Sequence, residues 1–147
     1  MTEKHLSSQF DEELSGLRTH VLQMGGLVET QVSAGRLQCY GVSSNTVTSS
    51  EQDPESTSLS RMLDAARLAA KQTGQQAHHF RVLQCPMNLF ESGAATVPNT
   101  GADGAQTVLG LAQQEHLAVL INRPLNAMPG QPGGMLRLAD LTLEGEP

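Results

Sequence analysis

The chain contains a short, mainly apolar run at residues 80–85, FRVLQC, and this run decides the fold class. Its apolar residues do not alternate strictly with polar ones, which is typical of strands buried on both faces of a parallel sheet. Proline has no backbone N–H to donate to a neighbouring strand, so Pro86 marks the end of the run. The stretch therefore predicts one strand of a parallel α/β sheet.

Similar runs on either side extend this pattern. Further strands are predicted at residues 36–42 and 117–121, and amphipathic helices at 58–72 and 105–114. Residues 46–57, residues 92–104 and the tail from Met128 are predicted to be irregular. Strands that alternate with helices in this way predict parallel α/β structure in βαβαβ order.

A different pattern precedes the α/β segment. Residues 6–32 predict an amphipathic helix, which Gly25 and Gly26 interrupt. Its apolar residues recur at steps of three and four, and such a stripe needs partner helices to cover it; they are Phe10, Leu14, Leu17, Val21, Met24 and Val28. We expect this helix not to pack closely against the α/β segment.

Composition excludes several classes of partner. The formal net charge is -6 and the pI is about 5.2, which argues against nucleic acid and anionic membranes. No apolar stretch approaches the length of a membrane span, and the first residues lack the apolar region of a signal peptide. Two cysteines without C-x-x-C spacing fit a reducing compartment. We therefore expect a soluble, cytoplasmic protein.

Polar clusters follow all three predicted strands. They lie at residues 43–45, 84–88 and 122–123. Ligands of parallel α/β folds bind at the carboxyl ends of strands. These clusters offer amides, hydroxyls and one guanidinium, which suit a carboxamide or phosphate better than proton transfer. The alternative, that they are ordinary strand-end turns, stays open.

Three motifs carry a resemblance to a known family. GVSS at 41–44, VLQCPMNL at 82–89 and LAVLINRPL at 117–125 are similar to the fifth, sixth and seventh strands of the aldo-keto reductase barrel. The resemblance covers residues 35–147. It implies an α/β fold that forms part of a (β/α)8 TIM barrel. A slice of three strands has two open edges, so we expect self-association through them.

The same resemblance implies a nicotinamide cofactor site. Ser43, Ser44 and Gln84 correspond to residues that hold the carboxamide, and the segment after the third strand lies near the rest of the cofactor; its members are Asn122, Arg123, Pro124 and Leu125. Asn122 replaces an aromatic ring that stacks on the nicotinamide, and Ser44 replaces an Asn. The catalytic Asp, Tyr, Lys and His of the family have no counterpart here. We therefore predict weak or vestigial NADP binding, no catalytic residue and no metal ligand.

The front of the chain resembles another family. Residues 3–32, which include SQF at 8–10 and MGG at 24–26, are similar to the first helix of PhoU, a phosphate-uptake regulator. Two segments follow from this, a PhoU-like helix at 1–33 and an aldo-keto-reductase-like partial barrel at 34–147. The predicted function is that of a reductase fragment without catalytic activity. A PhoU-like regulatory or interaction fragment and a non-functional chimera are the alternatives.

Overall fold

The structure is a computed structural model, and it describes residues 24–49, 53, 55–128 and 134–138. Over these residues the chain is a mixed α/β protein. The helices are α1, described over residues 24–33, α2 (Leu59–Gln72), α3 (Gly93–Thr96) and α4 (Val108–Gln114). The strands are β1 (Tyr40–Ser43), β2 (Phe80–Pro86), β3 (Pro98–Thr100), β4 (Gln106–Thr107), β5 (Ala118–Asn122), β6 (Asn126–Ala127) and β7 (Leu136–Arg137).

Three strands form the principal sheet, in the order β1-β2-β5. β2 pairs with β5 in parallel, with Val82 opposite Ala118 and Pro86 opposite Asn122. At the end of β1, the Ser44 N–H donates to the Gln84 carbonyl (2.9 Å). The three predicted strands are confirmed, although β1 begins four residues late. The described strands close no barrel, so the partial-barrel interpretation stays a prediction.

The chain divides into two compact units. The first contains Met1–Tyr40 and Leu63–Phe80, and the second contains Gly41–Met62 and Arg81–Pro147. The predicted junction near residue 33 lies inside the first unit. It was defined by resemblance rather than by compactness, and it stays a prediction.

The core of the first unit is built mainly from α2. The predicted helix at 58–72 is confirmed. The part of it that belongs to this unit buries three alanines and one leucine on one face. Phe80 is also buried, and the Tyr40 ring stacks on it with centroids 5.8 Å apart. The buried residues of α2 in this unit are Leu63, Ala66, Ala69 and Ala70.

The α1 helix packs on α2 within this unit. Gly25, Glu29 and Ser33 lie on one face because they are four residues apart. A Cβ built on Gly25 would lie 4.0 Å from the Ala69 Cβ, an ordinary van der Waals distance, so the two helices are in side-by-side contact here. The helix also runs unbroken through Gly26, and the predicted interruption is therefore wrong. The first part of the predicted helix, residues 6–23, lies outside the described residues.

The second unit has a core of β2 and α4 side chains. Leu83 and Cys85 are buried on β2, and Val108, Leu111 and Ala112 are buried on α4. The α4 helix begins three residues later than predicted. Thr107 is the N-cap of α4, because its hydroxyl accepts the Gly110 N–H (3.1 Å).

Two segments that were predicted to be irregular contain short elements. The predicted loop at 92–104 holds α3 and β3, and β3 pairs with β4 in antiparallel fashion. Gly101 makes the turn between them at φ +89°, a conformation that glycine adopts without steric cost. In the predicted irregular tail, β7 pairs with β6. Pairs of two or three residues are too short to give a periodic signal in sequence.

Candidate functional site

The predicted cofactor residues lie at the carboxyl ends of the three parallel strands. Ser43 ends β1, Gln84 lies in the second half of β2, and Asn122 ends β5. The Asn122 side-chain amide approaches the Asn45 Oδ1 at 3.5 Å. The carboxyl ends of parallel strands lie at the same end of the sheet, so the α/β fold brings these polar groups to that end.

Ser44 is occupied by its own loop. Its hydroxyl is hydrogen-bonded to the Thr57 hydroxyl and also accepts the Thr46 N–H (3.2 Å). Ser44 is buried, and Thr57 further contacts the Thr46 hydroxyl (3.1 Å). At Ser44 these hydrogen bonds are those of an ordinary turn at the end of a strand, which was the alternative to a ligand-binding role.

Arg123 forms a short ion pair at this end of the sheet. Its Nη2 donates to the Glu91 Oε1 at 2.6 Å, and both side chains are mostly buried. The second Glu91 oxygen accepts from the Asn88 side-chain amide (2.9 Å) and from the Met128 N–H (3.2 Å). The positive charge of Arg123 is therefore compensated within the protein, which weakens its attraction for a phosphate.

Asn88 connects this ion pair to the backbone. Its Oδ1 accepts the N–H groups of Phe90 (2.9 Å) and Glu91 (2.7 Å), forming an Asx turn after β2. Its Nδ2 also donates to the carbonyls of Arg123 (3.1 Å) and Asn126 (3.0 Å). We call these three side chains the Asn88–Glu91–Arg123 network, and it ties the loop after β2 to the loop after β5.

Two buried atoms at the end of β5 have no hydrogen-bond partner among the described residues. They are the Asn122 Oδ1, an acceptor, and the Arg123 Nε, a donor. A carboxamide carries both complementary groups. Arg123 also has φ +53°, a conformation that costs most side chains free energy. Pro124 and Leu125 are exposed in the following turn.

A second polar cluster lies in the first unit. Glu29 of α1 is fully buried, and its Oε1 accepts the Tyr40 hydroxyl (2.9 Å) and the His79 N–H (3.2 Å). Its Oε2 contacts the His79 Nδ1 at 3.1 Å. Burial raises the pKa of the Glu29 carboxyl, but these hydrogen bonds outweigh burial, and the pKa lies below its ordinary value. This carboxylate is held ionised by its partners.

Sequence reasoning missed this second cluster. A single glutamate on a helix has no distinctive signal in sequence, and the adjacent pair His78-His79 has none either, because neighbouring side chains point in different directions. In the described ranges no group of three or more His, Cys, Asp or Glu side chains is placed to hold a metal ion. Helices long and apolar enough to cross a bilayer are likewise absent from those ranges.

The cysteines do not form a reactive pair. Cys39 is exposed and Cys85 is buried, and neither forms a disulfide. Burial raises the pKa of the Cys85 thiol, which keeps it protonated and poorly nucleophilic. Cys85 is therefore a thiol of the apolar core rather than a nucleophile.

The fold and these clusters define the chain as a mixed α/β protein. A 30-residue stretch of it is 60% identical to PhoU, the phosphate-specific transport system accessory protein of Serratia marcescens. The match covers 20% of this chain and 12% of that protein. No protein-family model and no solved structure matches the chain. The PhoU resemblance thus has support over 30 residues, and the aldo-keto reductase resemblance has none.

Proposed function

We propose that this chain is an interaction protein whose PhoU-like segment binds a helical partner in phosphate-specific transport. The observation that carries the proposal is the 60% identity to PhoU over 30 residues. Because the match covers only 12% of PhoU, the proposal concerns the partner surface of that segment and not the whole activity of PhoU.

The geometry of α1 supports this role. Its inward face is anchored through Gly25 and Glu29, and the Ser33 hydroxyl is hydrogen-bonded by the Gln75 side-chain amide. Met24 and Leu27 are each 64% exposed and share the outward side, because residues three apart are neighbours on a helix. Met24 also belongs to the apolar stripe of residues 6–32. An anchored helix with two exposed apolar side chains on its outward side suits helix-on-helix binding.

Binding to PhoU itself tests this proposal. The full chain would be titrated into Serratia marcescens PhoU and into a PhoU variant that lacks the matching 30 residues. We expect saturable binding to the deletion variant, whose partner surface is uncovered. The double variant Met24→Glu/Leu27→Glu should bind at least about tenfold more weakly, because it places charges in an apolar contact.

A matched control separates this surface from general stickiness. Leu89 is 99% exposed and lies far from α1 in sequence, so Leu89→Glu makes the same chemical change elsewhere. We expect Leu89→Glu to bind like the natural chain. No binding to the deletion variant, or equal losses in both variants, would contradict the proposal.

The second candidate function is weak binding of a nicotinamide cofactor at the strand ends. One support is the strand order β1-β2-β5, which brings Ser43, Gln84 and Asn122 to the same end of the sheet. The other is the Asn122 Oδ1, which has no hydrogen-bond partner among the described residues. The amides fit a carboxamide. The phosphates fit poorly, because Arg123 is paired with Glu91 and the Ser44 hydroxyl is occupied.

The expected affinity follows from few contacts. A neutral hydrogen bond contributes about 0.5–1.5 kcal/mol, whereas association costs at least about 4 kcal/mol in lost freedom. We therefore expect a dissociation constant for NADPH no tighter than about millimolar. Isothermal titration of the full chain would measure it, with Gln84→Ala as the variant. Binding that Gln84→Ala does not weaken would contradict this site.

A further inference from the structure

Among the described residues, the β5 strand forms a lateral edge of the principal sheet that no other strand covers. It lies last in the order β1-β2-β5, so among the described strands it pairs only with β2. Leu120 is 54% exposed and Ile121 is 37% exposed. Consecutive residues of a strand point to opposite faces, so both faces of β5 are partly open. Parallel strands normally have both faces covered.

The sequence of β5 lacks the usual protection of an edge. Natural edge strands carry lysine, proline, bulges or inward charges that prevent pairing with another chain. Residues 117–122 read LAVLIN, without a charge, a proline or a glycine. No register shift interrupts the pairing of β5 with β2. The strand is therefore a competent template for one more strand.

We propose that the β5 strands of two copies of this chain pair in antiparallel fashion, joining two principal sheets into one. A two-fold axis at Leu120, the middle residue of Ala118–Asn122, places each Leu120 opposite its copy. The same axis places Val119 opposite Ile121 and Ala118 opposite Asn122. All these pairs are uncharged, and most are aliphatic, a combination that stabilises cross-strand contact.

Charge makes this surface more favourable for self-association than the acidic parts of the chain. The chain has a formal net charge of -6, so two copies repel each other wherever acidic surfaces meet. An isologous contact sets each patch against itself, and a charged patch would face its own charge. The β5 segment avoids this cost because residues 117–122 carry no charge. The inference is independent of α1 and of cofactor binding.

A charge-exchange experiment tests both the surface and the register. The full chain, Leu120→Lys and Leu120→Glu would be examined by sedimentation over a range of concentrations. Each variant alone sets two like charges opposite each other, so we expect its dimer dissociation constant to rise by about tenfold or more. An equimolar mixture of the two variants places Lys opposite Glu and should restore the dimer.

Two controls keep the result decisive. Leu120 is more than half exposed, so circular dichroism should show both variants folded. Leu89→Glu adds the same negative charge as Leu120→Glu, but at another exposed leucine, and should leave the dimer unchanged. A natural chain that stays monomeric at every concentration, a dimer insensitive to both Leu120 variants, or a mixture that fails to dimerise would each overturn the proposal.

Discussion

Glu29 of α1 holds His79 through two of its groups, accepting the backbone N–H with one carboxylate oxygen (3.2 Å) and contacting the ring Nδ1 with the other (3.1 Å). The two residues are fifty positions apart, and Phe80, the first residue of β2, follows His79 directly. The Tyr40 hydroxyl completes the set at 2.9 Å. We expected this helix not to pack closely against the α/β segment. The contacts of Glu29 with His79 show that this expectation is wrong for the described part of the helix.

The first prediction concerns the stability that this cluster provides. Glu29→Ala removes the carboxylate that accepts from the Tyr40 hydroxyl and the His79 N–H, and a hydrogen bond to a charged group contributes about 1.5–3 kcal/mol. We expect a loss of that size in the free energy of unfolding, measured by urea denaturation. Tyr40→Phe removes one donor and should cost less. Equal stability of Glu29→Ala and the natural chain would contradict the cluster.

The second prediction concerns acid. The pKa of Glu29 is lower in the folded chain than its ordinary value, so the ionised form stabilises the fold. That contribution is complete above the unfolded pKa, about 4–4.5, and is lost as the pH falls through the folded pKa. Unfolding of the natural chain should therefore become easier on acidification through this range. Glu29→Gln cannot titrate and should show a flatter dependence; identical slopes would refute the assignment.

The third prediction concerns the Asn88–Glu91–Arg123 network. Glu91→Ala leaves the Arg123 guanidinium mostly buried without its counter-charge, and Arg123→Ala does the converse. A double-mutant cycle should give a coupling free energy of about 1 kcal/mol or more, above the usual value for exposed pairs. Thermal or urea unfolding of the two single variants and the double variant measures it. Purely additive losses would mean that the ion pair contributes nothing.

Sequence patterning predicted the principal sheet because β2 and β5 are long enough to show mainly apolar runs without strict alternation. It also predicted α2, whose buried face follows the helical period through Leu59, Leu63 and Ala66. It predicted the polar strand ends, but it could not assign their partners. Glu91 and Thr57, which occupy Arg123 and Ser44, lie in loops where no period constrains side-chain direction.

The fourth prediction concerns the end of α4. His116 has φ +55°; its N–H donates to the Gln113 carbonyl (3.2 Å), and the Leu117 N–H donates to the Ala112 carbonyl (2.8 Å). This is the arrangement in which glycine is preferred, because a Cβ costs about 1–2 kcal/mol there. We expect His116→Gly to stabilise the chain by about 0.5–1 kcal/mol after the entropy of glycine is subtracted. His116→Ala keeps a Cβ and should bring no gain in thermal unfolding.

The last prediction contrasts two glycines that receive the same substitution. A Cβ on Gly41 would lie 2.8 Å from both the Cβ and the carbonyl oxygen of Val82, so alanine there would push β1 away from β2. We expect Gly41→Ala to cost about 1–3 kcal/mol, the usual penalty of overpacking. Gly26 lies within the helical residues of α1, and a Cβ there would meet nothing within 4 Å. Gly26→Ala should therefore stabilise the chain by about 0.5–1 kcal/mol, because alanine favours the helix over glycine. Urea denaturation of both variants gives the two signs directly. Destabilisation by Gly26→Ala would show that its neighbourhood is closed, and a neutral Gly41→Ala would show that β1 does not need to approach Val82 so closely.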